Sequence, residues 1–244
     1  MIFKNWNIVP DKIALNQNEI HVWLCNLIVD KKLIPALSKN LSSEELKKAN
    51  NFHFEKDKNS YIASHYFLRT ILSKYYKIKP GQIIFECNKY GKPFVVNKIA
   101  TPLQFNLSHS GDFCLIGITL NDRIGVDIEK NKEDFSSMEI AEKYFSKNEY
   151  EQLLSLRKDD RSKAFYYCWT RKEAYIKAEG KGLSIPLDSF DVTISETKPK
   201  LTRIENKNDL SNWHLYNIPI NEKYFAAVAL FGREKEIKRY YLNI

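Results

Sequence analysis

The chain has 244 residues, 43% of them hydrophobic and 28% charged, with only 8 Gly and 8 Pro. These proportions belong to a folded globular protein and exclude a disordered tail, a collagen-like fibre and a coiled coil. Lys and Arg number 38 against 30 Asp and Glu, a net charge of +8, which favours anionic partners: nucleic acid, anionic lipid, a phosphorylated small molecule or an acidic protein.

In chain order, Ile20–Val29 is rich in β-branched and aromatic residues and reads as a strand. Ser42 and Glu45 form the N-cap and N3 positions of a capping box and so open a helix. Tyr61, His65, Leu68 and Leu72 recur at helical spacing, predicting a helix over Lys56–Tyr76 that Pro80-Gly81 terminates. Short strands are expected at Ile83–Cys87, Pro93–Val96, Gln104–Leu107 and Phe113–Leu120, with a turn at Asn121-Asp122. The order then repeats. A strand at Ile124–Glu129 leads to helices at Met138–Phe145 and Lys147–Leu156 and to a long helix over Arg161–Glu179, ended by Gly180 and Gly182. Strands are expected at Phe190–Ile194, Trp213–Ile218 and Tyr224–Phe231. The doubled order predicts two similar α+β halves, 1–122 and 123–244, with the seam at Leu120–Arg123.

Cys25, Cys87, Cys114 and Cys168 show no C-x-x-C spacing, which argues against zinc and dithiol redox chemistry. Met1 to Asn7 lack the basic region and apolar run of a signal peptide, and no apolar run approaches the ~20 residues of a spanning helix. The expectation is a soluble, cytoplasmic protein with no membrane role.

Four segments carry candidate chemistry. In Arg123-Ile124-Gly125-Val126-Asp127-Ile128-Glu129, strand alternation places Asp127 and Glu129 on one face, about 7 Å apart along the strand. A hard cation such as Mg2+ would relieve their repulsion, although a solvated edge face explains most D-x-E strings. In Trp169-Thr170-Arg171-Lys172-Glu173-Ala174-Tyr175-Ile176-Lys177, the residues Trp169, Glu173 and Lys177 share one helix face, with Lys172 beside it. A Glu–Lys pair at this spacing is usually a surface ion pair, but the tryptophan indicates partial burial. Asn106-Leu107-Ser108-His109-Ser110-Gly111 reads as a strand entering a hydroxyl-rich turn of the kind that cradles anions. Lys89-Tyr90-Gly91-Lys92-Pro93 reads as a β-turn.

In this order, the strings Tyr90-Gly91-Lys92-Pro93, Asn106 to Ser110, Gly125 to Lys130 and Trp169 to Leu183 resemble the Sfp-like (surfactin-synthetase-activating) 4′-phosphopantetheinyl transferases. Phe145-Ser146-Lys147-Asn148-Glu149-Tyr150 and Pro186 to Phe190 add to the likeness, which is good over residues 41–195. The resemblance implies an α+β fold of two pseudo-symmetric halves, the first on the adenine and 3′-phosphate side and the second on the metal and catalytic side, with the active site in the cleft between them. It implies a pseudodimeric monomer. The reaction it implies moves the phosphopantetheine arm of coenzyme A (CoA) to a serine hydroxyl of an apo carrier protein and releases 3′,5′-ADP. The carrier would be an acidic helical bundle: a peptidyl carrier of a non-ribosomal peptide synthetase, as in antibiotic biosynthesis, or an acyl carrier.

Carried over by residue, Asp127, Glu129 and Glu173 are expected to hold Mg2+, with Mn2+ as the other candidate. Glu173 is also the candidate base, and Lys177 is expected on the pyrophosphate with Lys172 close by. Gly91, Lys92 and Pro93 are expected around the adenine and 3′-phosphate, and Ser108 and His109 on a phosphate. Lys48 fits the basic helix positions directed at the 3′-phosphate, but Glu45 does not, and the usual arginine near Lys58–Ser60 is missing. Lys47, Lys56 and Lys58 are the candidate replacements, and Arg69 is read as structural. The segment Phe135–Tyr150 is the candidate for carrier docking. The competing readings are a CoA-binding protein of the same fold without catalysis, a basic nucleic-acid-binding protein and a metal-dependent nuclease or phosphatase. The lysines are spread along the chain without an RNA-binding aromatic motif, and two-metal hydrolases use more ligands than these three.

Overall fold

The structure is a computed structural model that describes residues 6–10, 12–97, 103–132 and 137–244. After the short β1 (Asn7–Ile8), the first half runs β2 (Glu19–Asn26), α1 (Ile34–Ser38), α2 (Ser43–Asn50) and α3 (Glu55–Tyr76). It continues with β3 (Phe85–Cys87), β4 (Pro93–Val95), β5 (Leu103–Ser110) and β6 (Phe113–Leu120). The second half repeats this with β7 (Arg123–Lys130), α4 (Ser137–Tyr144), α5 (Lys147–Ser155) and α6 (Lys158–Glu179), then β8 (Asp191–Val192), β9 (Leu201–Arg203), β10 (Trp213–Asn217) and β11 (Tyr224–Phe231).

The repeat extends to strand pairing. β2-β6-β5 and β7-β11-β10 are both antiparallel, and β3–β4 and β8–β9 form small two-stranded sheets at matching places. One strand breaks the pattern. β12 (Glu236–Leu242) belongs by order to the second half, yet it pairs in parallel with β2 and carries β1 on its far side. The division at residues 122 and 123 therefore does not hold for β12. Nothing local predicts a parallel partner lying so far away along the chain.

Each half packs its long helix on one face of its sheet. Phe67, Leu68, Ile71 and Leu72 of α3 meet Trp23, Phe105 and Ile116, while Phe165, Cys168 and Ile176 of α6 lie in a core with Leu215, Phe225 and Ala227. The other faces of the two sheets pack on each other through Ile20, Val22, Leu24, Ile124, Val126 and Ile128. The result is four layers, helix on sheet on sheet on helix, and the seam lies inside a core.

The same buried device fixes each helical layer. Ser42 and Glu45 form the expected capping box, and Ser146 with Glu149 forms its counterpart on α5. Glu45 accepts from Arg69 Nε at 2.8 Å, and Glu149 lies 2.7 Å from Lys172 Nζ. Arg69 and Lys172 occupy the same place along helices of 22 residues each. Both cations also donate to two carbonyls in the turn beyond their helix: Pro80 and Ile83 for Arg69, Leu187 and Phe190 for Lys172. Arg69 is thus structural, as read from the sequence.

Because Lys172 and Glu149 are fully buried, removing one partner strands the other in a low-dielectric interior. Glu149→Ala is expected to lower the unfolding free energy by about 3–5 kcal/mol. Glu151→Ala, which breaks the exposed pair with Lys147, should change it by less than about 0.5 kcal/mol. Urea denaturation measures both, and equal effects would refute the structural role of Glu149.

Candidate active site

β5 and β7 are the facing edges of the two sheets, yet no main-chain ladder joins them among the described residues. Side chains of β5 two residues apart take its place, consistent with strand alternation. Asn106 Oδ1 accepts from Val126 N at 2.8 Å, Ser108 Oγ donates to Asp127 Oδ1 at 2.9 Å, and Ser110 Oγ donates to Glu129 Oε2 at 2.9 Å. The expected turn starts later than the sequence suggests. Ser108, His109 and Ser110 remain in the strand because β5 pairs with β6 up to Ser110 opposite Phe113.

α6 brings the remaining groups. Gly125 makes this possible: a Cβ there would lie 2.1 Å from Ala174 O and 2.3 Å from Ala178 N, so any side chain would push the helix off the strand. With the helix at this distance, Lys177 Nζ reaches Asp127 Oδ1 at 2.5 Å and Ser108 Oγ at 2.9 Å. Trp169 lies beside Glu129 and favours its ionised form, and Glu173 stands within electrostatic reach of Asp127 and Glu129. The sequence-predicted Asp127, Glu129, Glu173, Lys177 and Ser108 therefore meet at the junction of both halves.

Burial pushes the Asp127 carboxyl up, against the opposing pull of Lys177 and Ser108. Glu129 is raised by burial and by Asp127, with Ser110 opposing. Glu173 is pushed up to about 7 by burial and by Asp127, with Lys177 opposing and Glu129 adding. Desolvation works against the Lys177 ammonium, but Asp127 and the two glutamates outweigh it and hold its pKa above the ordinary lysine value. His109 is open to solvent, yet the enclosing protein, with Lys177 and His65, depresses its imidazole below the usual value.

Asp127 Oδ2 is buried without a hydrogen-bond partner. An orphaned carboxylate oxygen beside two more carboxylates is an all-oxygen, anionic donor set that suits a hard divalent cation. The three carboxylates are not drawn into a cage: no group of three or more His, Cys, Asp or Glu among the described residues stands at metal-holding separations.

Two sequence assignments need correction. Lys172, expected beside the pyrophosphate, is sealed in the second half's core against Glu149, Leu187 O and Phe190 O. The spacing along α6 showed its proximity to Glu173 but not which side of the helix was buried. Lys92, expected at the nucleotide, turns its ammonium inward to Ile124 O at 2.9 Å and Ala178 O at 3.2 Å. Burial, with Arg123 nearby, pushes its pKa down to about 8. Asn88 Nδ2 adds a bond to Gly180 O at 2.7 Å, so the Asn88–Lys92 turn clasps the end of α6.

Gly91 sits in that exposed turn at φ 90°, a left-handed conformation suited to glycine, and Pro93 starts β4. Lys48 is exposed on α2, and its ammonium makes no hydrogen bond or ion pair among the described residues. Glu45, the departure from the family pattern, is occupied by Arg69 and His65. Phe135, at the start of the docking candidate, lies outside the described residues. Asn106 and Ser110 were missed as site residues, although their alternation with Ser108 on a strand opposite a D-x-E strand was the available signal.

A fold of two α+β halves with a carboxylate and lysine cluster at their seam defines the class, and sequence comparison specifies it. Residues 123–229 match the 4′-phosphopantetheinyl transferase superfamily, and residues 30–120 match a family described as 4′-phosphopantetheinyl transferase, N-terminal. The chain is 32% identical over 233 residues to the 4′-phosphopantetheinyl transferase HetI of Nostoc sp., covering 95% of this chain and 96% of that protein. It is 42% identical over 156 residues to the 4′-phosphopantetheinyl transferase ffp of Bacillus subtilis, covering 64% and 67%. The 4′-phosphopantetheinyl transferase Sfp of Bacillus subtilis strain 168 is 38% identical over 156 residues, also covering 64% and 67%. The chain belongs to the 4′-phosphopantetheinyl transferase superfamily, and its likeness is to the Sfp type.

The raised pKa of Glu173 links stability to pH. The folded protein holds this proton up to about 7, whereas an ordinary glutamate releases it near 4.5, so stability from this group falls as pH rises between those values. Without added metal, Glu173→Gln is expected to melt roughly 3–10 °C above the unsubstituted protein at pH 8, with no difference near pH 4. Calorimetric scans at both pH values test this, and a lower melting temperature at pH 8 would refute it.

Proposed function

We propose that this protein transfers the 4′-phosphopantetheine arm of CoA to a serine hydroxyl of an apo peptidyl or acyl carrier protein and releases 3′,5′-ADP. The observation that carries this reading is the Lys177–Asp127–Ser108 junction beside Glu129 and Glu173, formed where the two halves meet.

Asp127, Glu129 and Glu173 would hold Mg2+, or Mn2+. When bound, the metal supplies charge neutralisation on the pyrophosphate. Lys177 offers its ammonium to the pyrophosphate oxygens, and His109 on the first half lies within the same electrostatic field. Glu173 takes the proton from the carrier serine as its Oγ bonds to phosphorus and the bond to the 3′,5′-ADP oxygen breaks. Burial in the cleft favours the protonated form of this carboxyl, which suits it to take up a proton. Phosphoryl transfer of this kind depends on positioning and electrostatic stabilisation, which this cluster provides. No helix among the described residues is long and apolar enough to cross a membrane. We place the enzyme in the cytoplasm as a pseudodimeric monomer.

The test is the intact mass of an apo peptidyl carrier incubated with the protein, CoA and Mg2+. One phosphopantetheine should be gained, and the gain should be abolished by EDTA. Asp127→Asn and Lys177→Ala should each lower the rate by about 100-fold or more, the magnitude of losing a central electrostatic contact. Bound CoA with no gain on any carrier would establish a binding protein instead.

A net charge of +8 suits an acidic carrier. Raising the salt from 50 to 300 mM is expected to raise KM for the carrier severalfold while leaving kcat within about twofold, because screening weakens steering. A flat KM in initial-rate measurements would refute the charge-steered encounter.

A further inference from the structure

We propose that Ser110 is a positioning residue that presents Glu129 to the metal and thereby sets metal affinity. The inference rests on the proposed role of Asp127, Glu129 and Glu173 as metal-holding carboxylates. Ser110 Oγ accepts from Lys130 N at 3.1 Å and donates to Glu129 Oε2 at 2.9 Å. A hydroxyl has a single proton, so accepting from the amide leaves that proton for the carboxylate. The Lys130 amide is on a strand paired with β11, so the hydroxyl is aimed from a rigid element. Glu129 of the second half is therefore held by a hydroxyl of the first.

The residues of β5 that face β7 divide by role. Ser108 and Ser110 each receive from a donor and pass a hydrogen bond to a carboxylate. Asn106 accepts from Val126 N and contacts no carboxylate. If the strand served only to join the halves, Asn106 and Ser110 would be equivalent. If Ser110 positions Glu129, only Ser110 bears on the metal. Hydrogen-bond partners of metal ligands typically change metal affinity 10–100-fold when removed.

The experiment titrates Mn2+ into the full chain with stoichiometric CoA, following free Mn2+ by electron paramagnetic resonance against a CoA blank, with initial rates over Mg2+ alongside. Ser110→Ala is expected to weaken Mn2+ about 10–100-fold and raise KM for Mg2+ by a similar factor, while kcat at saturating metal stays within about twofold. Ser110→Thr, which keeps the hydroxyl, should restore both. Asn106→Ala should lower the melting temperature and leave Mn2+ affinity within about threefold, because Asn106 contacts no carboxylate. Unchanged Mn2+ binding in Ser110→Ala, or equal weakening in Asn106→Ala, overturns the proposal. If the unsubstituted protein binds no Mn2+, or Glu129→Gln binds it as tightly, the metal-site reading falls and this inference falls with it.

Discussion

Asp127 is a carboxylate placed almost entirely out of water, and the site is arranged around that constraint. An unpaired anion in such a place would take up a proton. Here Lys177 and Ser108 hold one oxygen, while the other is left bare. Lys177 can reach only because Gly125 lets α6 lie against β7, and Ser108 only because β5 comes from the other half. The second half thus supplies the carboxylate and its ammonium partner, and the first half adds the hydroxyl.

The internal symmetry shows what was kept and what diverged. The capping-box glutamate and its buried cation persist in both halves, as Glu45 with Arg69 and Glu149 with Lys172. At the places equivalent to Asp127 and Glu129, β2 carries Trp23 and Cys25, both buried in the first half's core. Thr70 stands on α3 where Glu173 stands on α6. The scaffold is thus duplicated, whereas the carboxylates belong to the second half and their hydroxyl partners to the first.

Much of this was legible from local patterns. Alternation predicted the shared face of Asp127 and Glu129, helical spacing grouped Trp169, Glu173 and Lys177, and the capping box at Ser42 marked the start of α2. The failures share one physical cause. Lys172 is hidden by Glu149 and by carbonyls beyond the end of α6, and Lys92 by carbonyls of Ile124 and Ala178, partners that no window of neighbouring residues contains. A lysine on a helix or in a turn reads as exposed because its usual environment is water. The alternation of Ser110 with Ser108 was visible, but its carboxylate partner was not, because that partner lies on a strand of a different sheet.

The seat of β12 bears on how the chain acquires its shape during synthesis. The first half's sheet has β2 as its edge until residues 236–242 exist, after the whole second half has been made. A growing chain therefore carries an unpaired edge on β2, flanked by Ile20, Val22 and Leu24, until residues 236–242 are made. The second half can complete its own three strands first and then offer Ile124, Val126 and Ile128 to that waiting face. The part made first is finished last, so a pause in translation before residue 236 would prolong the interval in which this molecule is most exposed to aggregation.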